Sequence, residues 1–283
     1  YASVRLSPDG SRVAAEVSSF GFRAQGILID IWVYEIARGT MTRITHGEGR
    51  NEWPLWTPDG SRITYGSDRS GRMGIFSIPA DGTDSTVRLS NLEGVEPASW
   101  SPDGQVLALL KTTDAGNRDI WMLRRDGEPE PFIESSFWEL WPTFSPDGRW
   151  LAYASTQSGR PEVYVTPYPG PGPRVQVSTE SGWSPSWAPN GRELFFLIPA
   201  YDEGTISMWA VDITMEPDLE VGIPRMLFKG EYANMFLIRG YDVAPDGEAF
   251  LFIKPDPSPE VLVTQIHVTF NWFEELNRLV PTD

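Results

Sequence analysis

One five-residue phrase, apolar-x-Pro-Asp/Asn-Gly, recurs six times along the 283 residues. It reads LSPDG from Leu6, WTPDG from Trp56, WSPDG from Trp100, FSPDG from Phe144, WAPNG from Trp187 and VAPDG from Val243. Its acid or amide positions, Asp9, Asp59, Asp103, Asp147, Asn190 and Asp246, are spaced by 50, 44, 44, 43 and 56 residues. Proline presets φ for a turn, Asp or Asn bonds its own backbone two residues on, and Gly supplies the positive φ that closes it. Each copy therefore marks a hairpin, and these six residues are expected to be structural. One acid per repeat stands around a rim and does not converge on an ion.

What flanks the turns sets the fold. An apolar strand follows each turn, as at Arg12–Val17 and Trp150–Ser155, and a second strand follows a variable loop, as at Ile31–Ile36 and Val163–Thr166. Most units add a short outer strand such as Met41–Thr45. A period near 44 residues with four short strands predicts an all-β, six-bladed β-propeller of four-stranded blades over residues 1–270. Trp56, Trp100, Phe144 and Trp187, fixed just ahead of their turns, are expected between blades. Asn271-Trp-Phe-Glu274 reads as an N-cap with a capping-box Glu, so 271–283 is expected to be a short helical tail packed on the propeller. Ser18–Asp30 lengthens a loop in the first unit and Thr205–Arg239 carries extra residues in the fifth, including Glu216–Pro224; long loops of this kind are where binding residues often sit.

Composition narrows the chemistry. There is no Cys, which excludes disulfides, thiolate zinc sites and a Cys nucleophile. The two histidines, His46 and His267, fall in a turn and a strand with nothing to pair them, and no Gly-x-Ser-x-Gly elbow occurs. Pro169-Gly-Pro-Gly-Pro173 is glycine-rich, but its prolines remove the N–H donors a phosphate cradle needs. No calcium-loop pattern is present. The expectation is a chain without metal or cofactor and without catalysis. A net charge of −16 repels polyanions, so nucleic acid is not the expected partner. No run approaches the ~18 apolar residues of a membrane span.

The remaining chemistry-bearing residues open the innermost strands, where they would line the channel mouth: Asn51, Glu52, Trp53, Glu96, Glu139, Trp141, Trp183 and Arg239. Aromatics there stack on a ligand or clamp a peptide. Carboxylates facing one another across a funnel raise each other's pKa. The reading preferred is a protein or small-molecule ligand at this propeller face. A carboxylate-based lyase or hydrolase is the enzymatic alternative, carried by Glu52, Glu96 and Glu139.

The phrases resemble TolB-like propeller repeats. The stretches Asp30-Ile-Trp-Val-Tyr-Glu-Ile-Ala-Arg-Gly-Thr40, Phe144-Ser-Pro-Asp-Gly-Arg-Trp-Leu-Ala-Tyr-Ala154, Ser158-Gly-Arg-Pro-Glu-Val-Tyr-Val165, Pro167-Tyr-Pro-Gly-Pro-Gly172 and the ending from Asn271 to Val280 are similar to the extracytoplasmic propeller of bacterial membrane-anchored serine/threonine kinases. That resemblance implies a kinase-associated sensor domain in a periplasmic or extracytoplasmic location. A standalone TolB-like periplasmic scaffold is the alternative it leaves open. The Gly-rich loop, His-Arg-Asp and Asp-Phe-Gly motifs of the kinase itself do not occur in this sequence. Because the first residue is Tyr1, the chain is expected to be a processed form or a fragment.

Overall fold

The computed structural model describes residues 3–19, 28–46, 49–83, 85–170, 172–215, 219–233 and 239–255. Every regular element among them is a strand. The first blade is β1 (Val4–Leu6), β2 (Arg12–Ser19), β3 (Leu28–Glu35) and β4 (Thr40–Arg43). The second is β5 (Asn51–Trp56), β6 (Arg62–Ser67), β7 (Gly74–Pro79) and β8 (Val87–Arg88); the third is β9 (Val95–Trp100), β10 (Val106–Thr112), β11 (Arg118–Arg124) and β12 (Pro129–Ile133). The fourth is β13 (Glu139–Phe144), β14 (Trp150–Ser155), β15 (Glu162–Pro167) and β16 (Val175–Gln176). Each is an antiparallel meander whose strands pair in chain order. The fifth blade has five strands: β17 (Trp183–Trp187), β18 (Glu193–Ala200), β19 (Thr205–Thr214), β20 (Glu220–Val221) and β21 (Arg225–Gly230), with β20 and β21 both pairing β19. The extra residues of the fifth unit thus include β20 and β21, which add a fifth strand to the blade.

The expectation of six four-stranded blades is corrected here. After the fifth blade, β22 (Tyr241–Val243) and β23 (Phe250–Phe252) form a two-stranded sheet only, so the described residues hold five blades. The physical reason lies in the phrase itself. It encodes the hairpin between a blade's first two strands, so it counts hairpins and is silent about the outer strands. No helix occurs among the described residues, and the expected helical tail, 271–283, lies outside them.

The turns behave as their chemistry dictates. In the first, Ser7 Oγ donates to Asp9 Oδ1 at 2.5 Å, the Ser11 amide donates to the same oxygen at 3.0 Å, and Gly10 sits at φ +69°. Those hydrogen bonds, the Ser7 hydroxyl first, hold the Asp9 carboxyl down at about 2. The pattern repeats at Asp59, Asp103 and Asp147, and Asn190 and Asp246 accept the amides of Arg192 and Glu248 at 2.9 Å each.

The turns also touch one another. A Cβ placed on Gly60 would lie 3.5 Å from Pro8, one on Gly104 3.7 Å from Pro58, and one on Gly148 3.5 Å from Pro102. Gly191 meets Pro146, Gly247 meets Pro189, and Gly10 meets Pro245, which closes the ring. Every junction carries a hydrogen bond as well. Trp56 Nε1 donates to the Arg5 carbonyl at 3.0 Å, Trp100 Nε1 to Thr64 Oγ1 at 3.2 Å and Trp187 Nε1 to the Thr143 carbonyl at 3.2 Å. The Phe144 amide donates to Ser99 Oγ, Tyr241 Oη to the Ser184 carbonyl, and the Leu6 amide to Asp242 Oδ2. The core is correspondingly interblade. One apolar cluster joins Ile31 and Val33 to Trp56, Tyr65 and Phe76, and another joins Leu110 and Met122 to Phe144 and Tyr153. Each fully buried large side chain contributes ~1.5–3 kcal/mol.

Gly148→Val tests the ring of turns. Valine at φ +73° is strained, and its methyls would press on Pro102. Gly159→Val carries comparable strain at φ +88° with nothing within 4 Å of its Cβ. The first variant is expected to lose ~1–3 kcal/mol and more than the second, read from urea midpoints. Equal losses would show that the turn-to-turn contact has no energetic weight.

Candidate functional site

Each innermost strand runs from the channel mouth to its turn, and alternation along it decides which side chains reach the axis. Three residues before the phrase's first residue stand Ser3, Trp53, Pro97, Trp141, Ser184 and Gly240. Of these, Trp53, Trp141 and Ser184 adopt φ of 56°, 50° and 49°, each followed by proline and each within an irregularity of the ladder. Left-handed backbone at a residue with a side chain costs ~1–3 kcal/mol and persists where packing over-determines it. The packing is visible: a Cβ on Gly66 would fall 2.7 Å from the Trp53 ring, so glycine there makes room for the indole. Trp141 lies against Trp183 with ring centroids 5.3 Å apart.

These bulges shape a narrow cavity of about 30 Å³ on the axis, lined by Ser3, Arg5, Trp53, Leu55, Glu96, Trp141 and Arg239 among others. The larger cavity, about 510 Å³, opens on the turn face between the second and third blades, beside Asp59 and Asp103. Its Arg62 is spent on Ser77 Oγ and the Ser77 and Ser85 carbonyls, so that cleft presents no buried charge in need of a partner.

The structure divides the eight sequence candidates. Trp53, Glu96, Trp141 and Arg239 meet on the axial cavity. Asn51 is instead a joint between blades: Nδ2 donates to Asp30 Oδ1 at 3.2 Å, and Oδ1 accepts from Arg69 at 3.0 Å. Glu139 is fully buried and accepts from Ser135 Oγ at 2.6 Å. Trp183 packs behind Trp141 and donates to Ser181 Oγ. Glu52 stands at the lip, 3.9 Å from Arg50.

Sequence reasoning missed two members of the site. Glu16, on β2, reaches across to accept the Trp53 amide at 3.2 Å. Burial chiefly, with the neighbouring Glu52 charge adding, lifts its carboxyl from 4.5 to about 7, against the pull of the Trp53 amide. Burial raises Glu52 and Glu96 as well, and Arg118 opposes the rise at Glu96 through a 2.7 Å ion pair. Arg5 is the other omission. A signal for it existed: in the position just before the phrase, the chain reads Arg5, Leu55, Ser99, Thr143, Ser186 and Asp242, and only the first and last are charged. Of the histidines, His46 is exposed and does not line the cavity, and His267 lies outside the described residues.

Residues 82–264 match the family model described as the TolB beta propeller domain. Over 163 residues, 57% of this chain, the sequence is 30% identical to the protein TolB homolog of Chlorobium luteolum, covering 35% of that protein. The chain thus spans about a third of that relative's length. Among solved structures, TolB from Acinetobacter baumannii superposes with a TM-score of 0.70 at 16% identity, over 88% of this chain and 59% of that one. An oligogalacturonate lyase in complex with manganese superposes with a TM-score of 0.61 at 14% identity, over 90% of this chain and 70% of that one. These two likenesses are of fold alone.

Glu16 gives the site a pH signature. Its folded-state pKa lies above the unfolded one, so between those values the folded chain binds more protons, and stability falls as pH rises from about 4.5 to about 7. Glu16→Gln is expected to reduce that slope and to stabilise the chain at pH 8 by up to ~3 kcal/mol. The slope persists in part, since Glu52, Glu96 and Glu139 are raised in the same direction. Urea midpoints across pH 4–8 check this, and parallel curves for the two proteins would refute it.

Proposed function

Because the chain belongs to the TolB beta propeller domain family, we propose that it is a non-catalytic binding propeller that takes a partner at the channel mouth. The observation that carries this reading is the pair of strained tryptophans, Trp53 and Trp141, held over one axial cavity behind an acidic lip of Glu16 and Glu52. Left-handed backbone at large aromatics is maintained against its own cost, and such strain concentrates at ligand-binding positions. Of the carboxylates nearby, Glu96 is engaged by Arg118, which favours recognition over turnover there, while Glu139 accepts Ser135 through Oε1 and its buried Oε2 has no hydrogen-bond partner among the described residues.

The partner class proposed is a protein segment docking on this face, in the manner of an extracytoplasmic TolB-like scaffold. Family membership and the sequence likeness to the TolB homolog of Chlorobium luteolum support the scaffold form. The kinase-associated sensor form rests on sequence resemblance.

Capture from a bacterial envelope fraction on immobilised protein tests the reading when three chains are run side by side. Proteins retained by the wild type are expected to be lost on Trp53→Ala, whose indole stands at the mouth, and kept on Asp126→Lys, an exposed residue on the turn between β11 and β12. Equal retention by all three, or loss on Asp126→Lys alone, would move the binding face away from the mouth.

A further inference from the structure

Buried guanidinium groups are ordinarily paired with a carboxylate and saturated with hydrogen bonds, because desolvation penalises a lone ion. Arg5 and Arg239 depart from this together. Arg239 is only 8% exposed. Its Nη2 donates to the Pro185 carbonyl at 2.6 Å, while its buried Nε has no hydrogen-bond partner. Arg5 directs Nη1 to the carbonyls of Val4, Tyr241 and Arg239, at 2.8, 3.4 and 3.5 Å. Neither guanidinium makes an ion pair among the described residues. Burial and the charge of Arg239 pull the Arg5 pKa down to about 10, so the two cations are close enough to repel.

The acids around them do not resolve the imbalance. Asp242 turns Oδ2 to the Leu6 amide at 2.8 Å and Oδ1 to the Val243 amide at 3.1 Å. It offsets one of the two positive charges from a distance. Glu96 shares the cavity but is bridged to Arg118. Glu16 and Glu52 stand toward the lip, with Glu16 holding the Trp53 amide. One cationic charge is left over, facing a cavity walled by Trp53, Leu55 and Trp141.

We propose that Arg5 and Arg239 receive a carboxylate. The head enters the axial cavity and accepts N–H donors from both guanidiniums, and the body attached to it lies between Trp53 and Trp141 toward the mouth. This rests on the reading of the channel as a binding site and adds its chemistry. Size and charge select the ligand class. The cavity of about 30 Å³ holds roughly two water-sized groups, since each needs ~10–15 Å³. That suits a planar carboxylate better than a tetrahedral phosphate. A single surplus positive charge behind an acidic lip favours a monoanion. A free organic acid and a peptide C-terminus offer the same head.

The test is calorimetric titration of the whole chain at constant ionic strength with four probes. These are 3-phenylpropionate, the peptide acetyl-Gly-Gly-Phe as its free acid, the same peptide as its C-terminal amide, and sodium sulfate. Saturable binding of phenylpropionate, of the free-acid peptide or of both is expected, weakened at least about tenfold in the amide and in Arg239→Gln. Binding of phenylpropionate alone assigns the site to organic acids, and binding of the peptide alone assigns it to C-termini. If Arg239→Gln does not fold by circular dichroism, Arg5→Gln replaces it with the same expectation. No binding of either acid, equal binding of acid and amide, sulfate binding as tightly as the acids, or an undiminished response in the folded variant each overturns the proposal. Loss of this binding with mouth-dependent protein capture intact would leave the binding propeller standing and remove only its carboxylate receptor.

Discussion

The glycine of each Pro-Asp-Gly turn lacks a Cβ where the proline of the preceding turn needs room, and that contact is made six times around a closed circle. Two demands therefore meet at one residue. Positive φ closes the hairpin, and the absent side chain lets neighbouring hairpins seat against each other. Once the turns are so placed, the residue that begins each phrase must lie between blades. Trp56, Trp100 and Trp187 fill that gap, and each passes its indole N–H to the preceding blade. Radial stacking, and with it the burial of both faces of every sheet, follows from the spacing of the turns.

A ring built this way leaves its axis to the strand residues that alternate toward it. There the repeat stops being uniform. Trp53 and Trp141 occupy the register that Ser3, Pro97, Ser184 and Gly240 fill elsewhere, and the chain bulges at Trp53, Trp141 and Ser184, each of them followed by proline. Charge breaks the symmetry too. Acids collect at the lip, with Glu16 lifted to about 7 by burial. The two guanidiniums lie among the strands behind them. In a chain of net charge −16, two cations without ion-pair partners on the axis are a local reversal of the overall field.

Turn chemistry is local, which is why the turns, the strands beside them and the interblade aromatics were legible from residues alone. The number of blades was not, because the phrase at Val243–Gly247 encodes one hairpin and β22–β23 is the sheet it makes among the described residues. The site was half legible. Trp53, Glu96, Trp141 and Arg239 stand at or just ahead of the opening of innermost strands, a position that the spacing to the turn phrase marks directly. Glu16 escaped because it belongs to a second strand and enters the site through a hydrogen bond to the next blade, a relation no spacing records. Arg5 was recoverable by aligning the position ahead of each turn, where charge appears only in the first and last copies.

That placement of charge has a structural consequence. Arg5 lies on β1 and Asp242 on β22, with Arg239 just ahead of it, so the cationic pair straddles the junction where the first unit meets the last. Elsewhere the chain passes from blade to blade covalently. Here the ring is closed by the Leu6–Asp242 hydrogen bond, the Gly10–Pro245 contact and the carbonyls that Arg5 takes from Arg239 and Tyr241. Mutual repulsion of two guanidiniums acts against that closure. An anion between them would turn the repulsion into a bridge and stabilise the closed ring in proportion to its occupancy. The proposed recognition of an anion on the axis and the integrity of the ring would then draw on the same two side chains, which would give a repeat protein a physical reason to concentrate its irregular charges at its seam.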